Sequence, residues 1–329
     1  MRRATLLGLL ASAGLGLSVA GHAAPEGPRL GFPLACALGR TCEVQHYVDR
    51  DPGPGARDYH CGPQSYEGHN GIDIRLLDMA AQRRGIEVLA AAPGKVVRLR
   101  DGVADVSIRA PGAPSVANQE CGNGEVVDHG DGWETQYCHL ARGSLRVKTG
   151  DLVSAGTPLA LVGLSGNTEF PHLHLTVRHD GAIVDPFAPA GGSACGAVGD
   201  LWTPAARAAL AYRSGAVLNA SFASGPVTMA NVETGSVAAP SRTAPYVVAY
   251  VRGIALQAGD VIVLELKGPD GATLARSQLP PLDRWKAQHL AYVGKKAPAT
   301  GWKVGAYVAE YRVLRQGNVA ISRRFEIRF

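Results

Sequence analysis

In residues 171–177, Pro-His-Leu-His-Leu-Thr-Val, polar and apolar side chains alternate, and a period of two fits an extended strand with one face turned to a core. On such a strand His172 and His174 share one face, while Leu173 and Leu175 pack behind the sheet. Upstream, Gly68-His69-Asn70-Gly71-Ile72-Asp73-Ile74 sets His69 and Asp73 four residues apart, again on one face of an extended segment. Tyr137-Cys138-His139-Leu140 places another histidine at the end of a further strand. Imidazoles and a carboxylate gathered on one face make a zinc donor set, and three such ligands leave a fourth position open.

The neighbouring sequence agrees with a sheet. Short apolar runs bounded by Gly and Asp recur at 87–91, 94–100, 124–128, 134–139, 151–153, 158–162 and 173–178. With almost no helical periodicity between them, they predict an all-β domain of antiparallel strands. Asp128-His129-Gly130-Asp131-Gly132 and Asp180-Gly181 are its hairpin turns, and 79–84 adds a helical turn or a loop. Before this domain, residues 25–66 are rich in Gly, Pro and Asp; only 42–48 reads as a strand, and the stretch is expected to flank or cover the site. After Cys195, Pro204 and the alanine-rich run behind it predict a short helix or linker. Strand-like runs then return at 217–222, 227–232, 247–251, 261–266, 290–293, 304–314 and 319–329, predicting a second β domain, a sandwich. Trp302, Tyr307 and Tyr311 are expected in its core and corners.

Arg2 and Arg3, a small apolar run to Ala20 and Gly21-His22-Ala23 have the pattern of a secretory signal peptide cleaved after Ala23. The run is too rich in Gly, Ala and Ser to read as a membrane anchor, and Cys36 is too distant for a lipoprotein. Without the leader, 31 basic side chains stand against 28 acidic ones, a net charge of +3. That suits work beside an anionic polymer and gives no case for nucleic acid. All six cysteines follow the leader, and in an exported chain they read as disulfides. Cys121 and Cys138 flank the 128–132 hairpin and are expected to pair, whereas Cys36, Cys42, Cys61 and Cys195 allow three pairings.

Competing chemistries are weaker. Cys138 and His139 are neighbours on a strand and face opposite sides, which disfavours a cysteine protease. Gly163-Leu164-Ser165-Gly166 lacks the closing glycine of a serine nucleophile elbow. His129 reads as a structural turn residue, and His46, His60, His179 and His289, without partners at ligand spacing, read as surface or locally bonded histidines.

Taken together, Gly68-His69 with Gly71 and Asp73, Gly122-Asn123-Gly124 through His129-Gly130 and Gly132 to Tyr137-Cys138-His139-Leu140, then Gly163 and Pro171-His172-Leu173-His174 resemble the lysostaphin-like (LytM-type) zinc metallopeptidases. The resemblance covers roughly residues 68–187. It implies a sheet of the duplicated-hybrid-motif type, zinc held by His69, Asp73 and His174, and His139 and His172 as unliganded catalytic histidines. It also implies hydrolysis of peptidoglycan crosslinks, in the periplasm or outside the cell, with D-alanyl to diaminopimelate bonds as first choice and glycyl-glycine bonds as second. The alternative is a non-catalytic or partner-activated regulator of cell-wall amidases with the same fold. The expected order is signal peptide 1–23, loop-rich flank 24–66, metallopeptidase domain 67–196, linker 197–215 and a β domain 216–329. In that last domain Gly301-Trp302 and Tyr307 weakly resemble the late strands of immunoglobulin-like modules. One departure is Asn167-Thr168-Glu169-Phe170 ahead of the Pro-His-Leu-His run, where Glu169 and Phe170 are expected at the groove rim, narrowing or recharging it.

Overall fold

The computed structural model describes residues 27–191, 195–196 and 199–329; the expected signal peptide lies outside them. The first half of the chain forms β1 (Cys42–His46), β2 (Ile72–Leu76), α1 (Met79–Arg83), β3 (Glu87–Leu89), β4 (Gly94–Arg100), β5 (Asn123–Gly130), β6 (Trp133–Leu140), β7 (Leu152–Val153), β8 (Pro158–Leu161), β9 (His172–His179), β10 (Ala182–Val184) and α2 (Pro204–Ala209). The second half forms β11 (Ala216–Ala223), α3 (Met229–Thr234), β12 (Tyr246–Leu256), β13 (Val261–Lys267), β14 (Thr273–Gln278), β15 (Lys286–Lys296), β16 (Ala306–Arg315) and β17 (Asn318–Arg328). The fold is all-β with antiparallel pairing and only short helices, as the alternating runs predict.

The large sheet runs β1-β2-β9-β6-β5-β4-β7, with β10 beside β9, and the small β3-β8 ribbon completes the unit. One face of the large sheet is dry: Ile72, Ile74 and Leu76 of β2 and Leu173, Leu175 and Val177 of β9 are buried in the first core. The alternation that buries them sends Asp73, Arg75, His172, His174 and Thr176 to the opposite face. Register aligns Asp73 with His174, His174 with Cys138, and Arg75 with His172.

The flanks are built into this core. Leu30, Leu34, Tyr47 and Tyr59 from the N-terminal stretch are buried there, and so are Trp202, Ala206 and Leu210 from the expected linker. Three disulfides join Cys36 to Cys42, Cys61 to Cys195 and Cys121 to Cys138, so the expected hairpin pair forms and the open pairings resolve.

The second core lies between two antiparallel sheets, β11-β12-β15 and β14-β13-β16-β17. Trp302, Tyr307 and Tyr311 are buried in it, with the Trp302 indole donating to the Ala244 carbonyl at 2.8 Å. The expected strand at 227–232 is instead α3. Thr228 and Asn231 form a capping box, each side chain bonded to the other's backbone N–H, and Gly235 ends the helix in the left-handed region at φ +69°. Those local bonds decide a short apolar run whose periodicity is ambiguous.

Candidate metal centre

Three strands and one turn build the site. Gly71, in the turn before β2, permits the approach of His174: a Cβ there would stand 2.5 Å from the His174 Nε2. His69 Nδ1 donates to the Tyr47 carbonyl at 2.6 Å, which fixes the tautomer and leaves the Nε2 lone pair free. His174 Nε2 lies 3.0 Å from Asn70 Oδ1, so a proton placed there leaves Nδ1 as the free donor. These two ring nitrogens are 3.2 Å apart, and Asp73 Oδ1 lies 3.1 Å from the first and 2.9 Å from the second.

Three electron-pair donors so close repel one another unless something positive sits among them. A tetrahedral zinc with bonds of about 2.0–2.1 Å has ligand–ligand edges of roughly 3.3 Å, close to this triangle. The residues present therefore fit a metal. A second possible group, His139, His172 and His174, shares His174 with the first.

His139 and His172 stand beside the triangle. His139 has φ +62°, a left-handed conformation uncommon for a residue with a Cβ. It occurs where β5 and β6 slip register between Asn123 and Glu125, and the Cys121 carbonyl accepts its backbone N–H. The Nδ1 of its buried ring donates to the Ser165 carbonyl at 2.8 Å. His172 Nδ1 donates to the Phe170 carbonyl at 2.9 Å, and its Nε2 is 3.3 Å from Asp73 Oδ1. The rings of His139 and His172 are 4.6 Å apart.

Burial, aided by the nearby His172 and His174, holds the His139 pKa well below the usual imidazole range, so the ring is neutral at neutral pH. Burial likewise lowers His174. For His69 burial opposes protonation, but the Asp73 carboxylate outweighs it and the pKa rises. Asp73 is itself fully buried; the surrounding histidines overcome that penalty and keep it ionised, well below the usual carboxylate range.

One site residue escapes sequence reading. His46, expected at the surface or in a local bond, faces Asp73 across the β1–β2 ladder, and its Nδ1 lies 3.1 Å from Asp73 Oδ2. It holds the carboxylate oxygen that does not face the triangle. A register irregularity between Val44 and His46 turns it there, and no spacing in the sequence signals it. His129, by contrast, is structural as expected, bonded to the Pro93 carbonyl and the Thr135 hydroxyl.

The donors open onto a cleft of about 420 Å³, walled by Tyr66, Glu120, Gln136, Asn167 and Arg178. Glu169 and Phe170 do not line it, contrary to their expected place at the rim. Glu169 pairs with Arg109 at 2.6 Å, and the Phe170 ring lies 4.0 Å beneath the Arg75 guanidinium. Both face a separate pocket shared with Met79, Leu164 and Met229. The Phe170 ring is held between the Arg75 guanidinium and the His172 ring, whose centroid is 4.9 Å away.

Residues 67–186, which hold all five of His69, Asp73, His139, His172 and His174, match the model of peptidase family M23. That match is to residues 67–186 alone. This chain is 38% identical over 68 residues to the cell division protein DipM of Caulobacter vibrioides, covering 21% of this chain and 11% of DipM. It is 33% identical over 109 residues to the peptidoglycan DD-endopeptidase ShyB of Vibrio cholerae, covering 33% of this chain and 20% of ShyB. The chain thus spans a fifth or less of these curated relatives. Among solved structures, the catalytic domain of the prophage-encoded M23 protein EnpA from Enterococcus faecalis aligns with a TM-score of 0.32 and 22% identity, over 45% of this chain and 92% of that one.

Proposed function

We propose that the chain is a zinc-dependent endopeptidase that cuts the peptide crosslinks of peptidoglycan. The observation that carries the reading is the triangle of His69 Nε2, Asp73 Oδ1 and His174 Nδ1, with edges of 2.9–3.2 Å, beside a cleft that His69 and His174 line. Bound to those atoms, zinc would supply an acidified water and polarise the scissile carbonyl. His139, neutral and with Nδ1 committed to Ser165, keeps Nε2 available to take the proton of the attacking water. His172, oriented by the Phe170 carbonyl, is placed to donate to the carbonyl oxygen as it gains charge or to the departing amine. Tyr47 and Asn70 hold the two metal-binding imidazoles in their working tautomers.

Crosslinks between D-alanine and diaminopimelate are the preferred substrate and glycyl-glycine bonds the second. Both the family and the DD-endopeptidase relative support a wall peptide. All six cysteines are in disulfides, which supports action in an oxidising compartment, the periplasm or outside the cell. The test is zinc content of the purified chain together with digestion of isolated peptidoglycan, with and without chelator, the fragments read by mass. Near-stoichiometric zinc and chelator-sensitive loss of crosslinked dimers are expected. A chain that binds no zinc would overturn the reading, and zinc without cleavage would turn it toward the partner-activated alternative. Alanine at His69, Asp73 or His174 should remove metal and activity together; alanine at His139 or His172 should leave the metal and lower turnover by a hundredfold or more, about 10²–10⁴.

A further inference from the structure

Arg75 follows Asp73 by two residues on the same face of β2, and its side chain is fully buried. A buried cation must be matched by an anion or it destabilises the fold by several kcal/mol. Within the first half of the chain Arg75 donates to the Gln45 side-chain amide oxygen at 3.0 Å and stacks on Phe170. Neither carries charge. Its anion comes from the C-terminal sandwich: Glu233, at the last turn of α3, accepts from Arg75 at 2.8 Å. The same carboxylate oxygen accepts from the buried Arg252 of β12, which also donates to the Leu77 carbonyl just past β2.

Two carboxylates act on Arg75, Glu233 first and Asp73 after it. Glu43, opposite Arg75 in the β1–β2 register, is turned to Arg213 at 3.0 Å. Without Glu233, the carboxylate left acting on Arg75 is Asp73, two residues away on the same face of β2. An arginine that turns to Asp73 takes up the oxygen that the metal requires.

We propose that Glu233 is a positioning residue for the metal centre: by neutralising Arg75 it keeps a buried cation off Asp73, so the centre is complete only when the C-terminal sandwich is docked. The inference rests on the reading of His69, Asp73 and His174 as ligands. It makes the sandwich part of the site without touching the cleft.

The test is zinc affinity of the full chain, measured by competition with a chelating dye below the unfolding temperature of each variant. Glu233→Gln should bind zinc tenfold or more weakly. Arg75→Met should bind as the wild type does, because it removes the competitor and leaves Glu233 with Arg252. Arg75→Met with Glu233→Gln should recover wild-type affinity, which a loss of docking alone would not allow. Unchanged affinity in Glu233→Gln, weakened affinity in Arg75→Met, or a double variant as weak as Glu233→Gln would each overturn the proposal. If the wild type itself binds no zinc, the ligand assignment fails and the inference falls with it; wild-type binding with no response to Glu233→Gln sinks the inference alone.

Discussion

A carboxylate has two oxygens, and at Asp73 each has its own task. Oδ1 meets His69, His172 and His174, while Oδ2 is held by His46 at 3.1 Å. Outer partners of this kind typically change metal affinity by about 10–100-fold when removed. His46→Ala should accordingly weaken zinc binding within that range while the fold persists, as a dye competition beside a circular-dichroism melt would show. A different carboxylate carries a pH dependence of stability. Glu125 of β5 is buried, and neither oxygen has a hydrogen-bond partner among the described residues. Burial pushes its pKa up from 4.5 to about 7. The folded protein thus holds a proton that the unfolded chain releases, so this group's contribution to stability is greatest below pH 4.5 and falls as pH rises toward 7. The loss from this group is about 3 kcal/mol at most. Glu125→Gln should flatten that part of the curve, and denaturant midpoints between pH 5 and 8 would reveal it. A wild-type midpoint that rises across this window in step with the variant would contradict the assignment to Glu125.

At the scale of elements, α3 is short, and its capping box fixes where Glu233 lies. Removing the Thr228 hydroxyl should cost about 1 kcal/mol of stability, with Thr228→Ser restoring most of it in chemical denaturation. The strands that carry the site were legible in the sequence because their alternation is local: Leu173 and Leu175 had to be buried, so His172 and His174 had to share the other face. The order of His69, Asp73 and His139 was legible through the family motif. His46 was not, since its role depends on which strand pairs with β2 and on an irregularity that no period encodes. Nor was the fate of Phe170, whose ring packs under Arg75, a residue far away in the chain. Residues 227–232 were misread because the run is too short for its periodicity to tell strand from helix, and the Thr228–Asn231 exchange chooses the helix.

Over the whole molecule, the two cores meet through charge as well as packing. Gln45 donates to the Ala287 carbonyl, Arg83 to that of Thr234 and Arg323 to that of Gly39, around the Arg75, Glu233 and Arg252 cluster. Such an interface couples the stabilities of its halves, so a single cooperative thermal transition is expected for the full chain, and Glu233→Gln should split or broaden it in calorimetry. Cys61 and Cys195, 134 positions apart in the sequence, close a covalent ring around β2 to β10. His69 and Asp73 enter that ring before the exposed turn at 111–118; His139, His172 and His174 follow it. A protease that nicks this turn would therefore leave both pieces tethered and the five side chains still assembled. On a denaturing gel the nicked protein would run as one band until a reductant is added.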